Sequence, residues 1–183
     1  MILIAVGANL SGPAGPPLQN CEAALTALAE EGVRIVARSR WYRTPPWPVS
    51  DQPWYVNAVV AAETALDPAA LLVLLHKIEA RFGRQRTAAS LNAARPLDLD
   101  LIDYDGLIRE APPPVLPHPR LEGRAFVLRP LSDIAPNWRH PKTGRVLKDL
   151  LAELPTDAIA EPLTGGANGA VVTPDVSPGQ KKP

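Results

Sequence analysis

From Arg95 to Gly106 the chain reads RPLDLDLIDYDG. Leu97, Leu99 and Leu101 alternate with Asp98 and Asp100, and period-two alternation is the pattern of a β-strand with one buried face. The leucines then face a core, and the two carboxylates share the opposite side. Like charges so placed repel each other unless something offsets them. Solvent over an exposed sheet face does so by screening, and a divalent cation does so by binding between the carboxylates. The local pattern leaves both readings open.

The rest of the chain supplies partners for this strand. Ile2 to Val6 is a short apolar run ending at Gly7, which predicts a buried strand. Leu18, Cys21, Ala24, Leu25 and Leu28 recur at helical spacing up to Gly32. Val33 to Trp41 alternates apolar residues with arginines and predicts one strand with a largely charged outer face, and Trp54 to Thr64 predicts another. Asp67-Pro68 is an N-cap followed by proline, opening a helix to Phe82 that Gly83 stops. The order β-α-β-β-α-β predicts an α+β, ferredoxin-like antiparallel sheet with both helices on one face. Further helical patterns around Gly123 to Leu131 and Val146 to Leu154 add C-terminal helices and an αβα layered domain. Residues 1–160 read as one domain. From 161 to 183 the composition turns to Gly, Pro, Thr, Ser and Lys without periodicity, which predicts a disordered tail.

Nineteen basic and nineteen acidic residues cancel, so the chain lacks the excess of positive charge expected of a nucleic-acid or membrane-surface binder. One cysteine, Cys21, rules out an intrachain disulfide and fits a reducing compartment. The start MILIAVGANL has no basic segment before its apolar run, and no apolar stretch approaches a membrane span. The expectation is a cytoplasmic monomer acting on small molecules.

Three groups could carry chemistry. Arg81, Arg84, Arg86 and Arg95 precede the aspartate strand, and Arg120, Arg124 and Arg129 follow it. Arginines suit phosphate oxygens, and beside a metal site they suit polyphosphate chemistry, although any one of them alone reads as solvated surface. Tyr55 and Asn57 share a strand face near Trp47 and Trp54, so a ring and an amide stand ready for a planar heterocycle; a core tyrosine and a turn asparagine fit equally well. His118 sits between prolines in PHPR, where a structural role is the commoner one. There is no P-loop and no strand-G-x-G-x-x-G-helix, so ATP would be used outside those designs.

VGANL at 6–10, YRTPPW at 42–47, DQPWYVNAVV at 51–60, IEARFGRQR at 78–86, ARPLDLDLIDYDG at 94–106 and LPHPRLEGRAFVLRPLSDIAP at 116–136 occur in one order. In these motifs the chain resembles the 6-hydroxymethyl-7,8-dihydropterin pyrophosphokinases of folate biosynthesis. The resemblance implies transfer of a diphosphate from ATP to the pterin hydroxymethyl group, with AMP released. It implies that Asp98 and Asp100 hold two Mg²⁺ ions and, with Arg84 and Arg95, form the catalytic set. Tyr55 and Phe126 would sandwich the pterin, with Asn57 and the loop at Thr44, Pro46 and Trp47 bonding its edge. His76, Glu79, Arg84, Arg95, Leu101, His118 and Arg124 match ATP-side positions, His76 standing where glutamine is frequent. Gly7 and Asn9 match the opening motif that supports the site. The polar loop 84–95 and the proline loop 44–53 are candidate lids. The rivals are a ferredoxin-like ligand- or RNA-binding module and a metal-dependent phosphoesterase. The zero net charge and the aspartate pair argue against the RNA-binding module, and the phosphoesterase has no use for Tyr55, Asn57 and Phe126.

Overall fold

The computed structural model describes residues 1–86 and 93–164. The first apolar run forms β1 (Ile2–Ala8), buried along nearly its whole length, as a central strand must be. It is followed by α1 (Pro17–Glu30). The next segment is split into β2 (Arg34–Arg38) and β3 (Tyr42–Thr44). β4 (Tyr55–Glu63), α2 (Pro68–Arg81) and the aspartate strand β5 (Asp98–Tyr104) complete the expected order. α3 (Ala125–Ile134), α4 (Leu147–Ala152) and a short β6 (Glu161–Pro162) follow. The Asp67 carboxylate accepts from the Ala70 N–H at 2.9 Å, closing the N-cap of α2 as its sequence predicts.

β1 pairs antiparallel with both β4 and β5, while β2 and β3 lie end to end along the far side of β4. This is the antiparallel ferredoxin-like order. Ile4, Val6, Val60, Leu99 and Leu101 face α1 and α2, packing on Leu28, Leu71, Leu75 and Ile78. Leu3, Val59, Ala61 and Ile102 face the other way, onto Leu128 and Leu131 of α3 and Leu147 and Leu150 of α4. The sheet is therefore the middle layer of an αβα sandwich.

Two expectations need correction. The single strand over Val33 to Trp41 is interrupted twice. The register slips between Ile35 and Ala37, and an extra residue is accommodated between Arg38 and Tyr42. Buried Ser39 explains the second break. Its hydroxyl accepts from the Val59 N–H at 3.0 Å, replacing a ladder bond, and donates to the Arg40 carbonyl at 2.8 Å. These shifts bring Val36 and Ala37 against the α3–α4 core, so the outer face is not a charged one. The tail expected from 161 opens with a strand: β6 pairs with Tyr42 and Arg43, and the Leu163 N–H donates to the Trp41 carbonyl at 2.8 Å. Its remainder, residues 165–183, lies outside the described residues, as do residues 87–92 of the polar loop.

Candidate active site

Asn57 of β4, Gly7 of β1 and Asp98 of β5 stand side by side in one row across three strands. Period two puts Tyr55 and Asp100 on the same sheet face, just beyond the first turn of α3. Gly7 is required here: a Cβ on it would overlap Asn57 Oδ1, so any larger residue pushes the amide out of place. Asn57 Nδ2 donates to Thr44 Oγ1 at 2.7 Å, which locks the amide and links β4 to the start of the proline loop.

These residues floor a cavity of ≈ 230 Å³. Trp47, Tyr55 and Phe126 supply aromatic walls, and Arg84, Arg86, Arg95, Arg120 and Arg124 surround Asp98 and Asp100. Arg84 bridges Glu79 and Asp98, while Arg95 reaches the other Asp98 oxygen at 3.1 Å and hydrogen-bonds the Tyr55 phenol. Arg124 lies 3.7 Å from Asp100, with its guanidinium over the rings of Phe126 and Trp47. Burial, and then the neighbouring Asp98 charge, push the Asp100 carboxyl up to about 6. Two oxygen-donor carboxylates under strain of this kind suit a hard cation, and five arginines suit a polyanion.

Two asparagines brace the loops that frame the cavity. Buried Asn9 accepts from the Arg95 backbone N–H at 2.7 Å and donates to the Pro53 carbonyl at 3.0 Å, tying the segment before β5 to the end of the proline loop. Asn20 of α1, fully buried, donates to the Pro96 carbonyl at 2.6 Å from behind.

The structure brings together Thr44, Trp47, Tyr55, Asn57, Arg84, Arg95, Asp98, Asp100, Arg124 and Phe126 around this cavity. Other expected site residues lie elsewhere. Leu101 faces the α1–α2 core, because on a strand it must point with Leu99 and away from Asp100. Pro46 is buried in its loop, and Pro45 and Pro48 line the cavity in its place. Glu79 sits behind the wall, accepting from Arg84, from Arg86 Nε at 2.9 Å and from the Leu99 N–H at 2.8 Å, so it positions arginines rather than facing the cavity. His76 lies outside the lining, where burial and then Arg86 and Arg84 lower its pKa. His118 lines a neighbouring cavity of ≈ 450 Å³. Burial, with Arg124 and Arg120 close by, brings its pKa down to about 4, so the imidazole is neutral at physiological pH and its Nδ1 accepts from the Arg120 N–H at 3.2 Å. Arg86 and Arg120 line the site although the sequence pattern had placed them only in the general arginine group. Their signal was proximity, Arg86 two residues after Arg84 and Arg120 inside PHPR.

A family model described as 7,8-dihydro-6-hydroxymethylpterin-pyrophosphokinase matches residues 3–136. The 2-amino-4-hydroxy-6-hydroxymethyldihydropteridine pyrophosphokinase of Synechocystis sp. is 36% identical over 172 residues, covering 91% of this chain and 85% of that protein. The protein of the same name from Pseudomonas aeruginosa is 38% identical over 159 residues, 86% of this chain and 94% of its own. Among solved structures, a triple mutant of Plasmodium falciparum HPPK-DHPS superposes with a TM-score of 0.63 at 14% identity, over 83% of this chain and 44% of that one. That likeness is one of fold, and this chain spans under half of the larger protein.

Proposed function

Since the chain belongs to the 7,8-dihydro-6-hydroxymethylpterin-pyrophosphokinase family and is thereby a pyrophosphokinase of folate biosynthesis, we propose that it moves the terminal diphosphate of ATP onto the hydroxymethyl group of 6-hydroxymethyl-7,8-dihydropterin. AMP is the leaving group. The observation that carries this reading is the union, in one cavity, of a heterocycle site and a polyanion site. Tyr55, Phe126 and the locked Asn57 amide stand beside Asp98, Asp100 and the arginines.

The pterin lies between Tyr55 and Phe126, with Asn57 and the proline-loop backbone bonding its edge. Its hydroxymethyl oxygen then attacks the β-phosphorus in line with the departing AMP. Arg84 and Arg95, already extended toward Asp98, meet the phosphate oxygens, and Arg124 offsets charge from the Asp100 side. Asp98 and Asp100 would hold Mg²⁺, which neutralises negative charge on the phosphates. The donor set fits that ion. Mg²⁺ binds through one or two carboxylates plus substrate phosphates and water, and among the described residues no cluster of three His, Cys, Asp or Glu side chains forms an all-protein cage. The proline loop, tied down through Asn9, shields the reacting groups from water, whose attack on ATP is the competing reaction. Among the described residues no helix is long and apolar enough to cross a membrane.

The test is one reaction mixture with ATP, Mg²⁺ and the hydroxymethyl dihydropterin, resolved by chromatography. AMP and a pterin diphosphate are expected in equal amounts. ADP rising in step with pterin consumption would show an ordinary kinase instead.

Truncation of the ring walls separates the two halves of the site. Tyr55→Ala and Phe126→Ala are each expected to weaken pterin binding by about 1–3 kcal/mol through lost area and stacking. Binding of a non-hydrolysable ATP analogue should change much less. Calorimetric titration of both ligands checks this, and equal losses for the two would count against a ring sandwich.

A further inference from the structure

The pair Arg95–Pro96 carries the chain from the polar loop into β5, and it is stiff by its own chemistry. Proline fixes its φ and has no N–H, and the residue before it is confined to extended backbone. Three polar backbone groups remain on the pair, and residues 9 to 20 satisfy all three. Asn9 Oδ1 accepts from the Arg95 N–H at 2.7 Å, and the Arg95 carbonyl accepts from the Asn9 and Leu10 N–H groups at 3.1 and 3.2 Å. The Pro96 carbonyl accepts from Asn20 Nδ2 at 2.6 Å. Next comes Leu97, fully buried, and then Asp98, whose carboxylate meets the Arg95 guanidinium at 3.1 Å.

Asn20 is the part of this frame that comes from a helix. It lies in the first turn of α1, fully buried, beside Cys21 and Ala24, which pack α1 on the sheet. Its Oδ1 accepts from the Ala14 N–H at 3.2 Å while its Nδ2 donates to Pro96. A side-chain amide offers that donor and that acceptor on one short planar head. The loop above it is closed by reciprocal backbone bonds between Gly12 and Gly15, at 2.9 and 3.0 Å. Gly12 leaves room for the amide, since a Cβ there would overlap it. Asn20 itself does not line the cavity, so it acts only through what it holds.

We propose that Asn20 is a positioning residue for the transfer step: by fixing the Pro96 carbonyl from behind, it sets where the Arg95 guanidinium stands beside Asp98. The assignment rests on the diphosphate-transfer reading above, in which Arg95 meets the phosphate oxygens. Asn9 holds the same unit from the segment that follows β1. Asn20 holds it from a helix packed in the core, so the reference for Arg95 is the sheet and not another loop. A reacting or charge-stabilising group misplaced by about 1 Å can cost roughly 100-fold in rate. Without the Pro96 anchor the stiff unit pivots as one piece, and the Arg95 side chain moves with it.

The test uses the full chain with Asn20→Ala, Asn20→Asp and Gly12→Ala, and repeats Asn20→Ala in an Arg95→Ala background. In Asn20→Ala the single-turnover rate, measured well below the melting temperature, is expected to fall about 10-fold or more, with the pterin dissociation constant held within about 2-fold. Asn20→Asp keeps the acceptor for Ala14 but has no donor for Pro96, so it should resemble Asn20→Ala. Gly12→Ala displaces the amide without removing it and should move the rate the same way. In the Arg95→Ala background the Asn20 substitution should cost less than about 2-fold further, because the two residues act as one unit. Amide hydrogen exchange at Arg95 should quicken by about 10-fold in Asn20→Ala while that at Val59 in β4 stays unchanged. An unchanged rate in Asn20→Ala, even with a lowered melting temperature, would overturn the assignment and leave a purely structural role. So would an equal fall in both backgrounds, which would show that Asn20 does not act through Arg95. A wild-type protein that released no AMP would refute the diphosphate-transfer reading instead, and Arg95 exchange would still decide whether Asn20 fixes the unit.

Discussion

Asp98→Asn and Asp100→Asn should each lower turnover by roughly three decades or more, the scale of charge stabilisation in phosphoryl transfer, while the fold persists. Among the described residues the two carboxylates are the only acidic side chains lining the cavity, and they share one strand face. Losing either leaves one anionic oxygen-donor group where the reaction needs two. Stability should not fall with activity. Asp100 is held in its charged form against burial and the Asp98 charge, so neutralising it removes a cost. Asp98 gives up ion pairs with the mostly buried Arg84 and Arg95, but Arg84 keeps Glu79 and the asparagine oxygen still accepts a hydrogen bond, so the loss stays well short of unfolding. Steady-state kinetics over a Mg²⁺ titration, with thermal melts of each variant, checks both halves. Near-wild-type turnover in both variants at saturating Mg²⁺ would sink the metal assignment.

Glu79→Ala should have the largest effect on the fold and a large secondary effect on nucleotide affinity. The Glu79 side chain is buried behind the cavity wall and serves three donors at once: Arg84, Arg86 and the Leu99 N–H. Burial raises its pKa, and Arg84, the Leu99 N–H and Arg86 act against that rise. Its removal leaves the buried Leu99 N–H without its acceptor and takes from the largely buried Arg84 one of its two carboxylates. Breaking a buried pair from one side costs about 3–5 kcal/mol. Glu79→Gln keeps an acceptor for Leu99 and should lose less. Denaturant unfolding measures the first effect, and calorimetry with an ATP analogue measures the second. Wild-type values for Glu79→Ala in both would show that Arg84 and Arg86 are positioned by something else.

The same comparison shows how far local pattern reaches. The face shared by Asp98 and Asp100 was legible because side chains on a strand alternate, and that rule alone also excludes Leu101 from the cavity, pointing it with Leu99 into the α1–α2 core. The Asp67-Pro68 cap of α2 was legible because capping is settled within four residues. Ser39 was not. Its hydroxyl breaks the strand by bonding to Val59, twenty residues away, and nothing near Ser39 announces that partner. Glu79 matched an ATP-side position by resemblance, and only the structure shows that its carboxylate accepts from Arg84 and Arg86, which line the cavity.

What the sequence determined by itself was the type and order of the elements through β5, apart from the break that separates β2 from β3, and which residues of β1, β4 and β5 share a face. Those properties follow from periodicities of two and 3.6 residues, from caps and from turn residues, all of which act over short stretches of chain. Only the tertiary structure decided that Asn57, Gly7 and Asp98 form one row, that Asn9 ties two distant loops together, and that Arg120 alone among the cavity arginines lacks a described carboxylate partner. Each of these depends on the register between strands far apart in the chain, or on which side chain reaches which charge first. Such long-range choices are made by the packing of the whole sheet against both helical layers, where a shift of one residue would turn every one of these side chains to the other face.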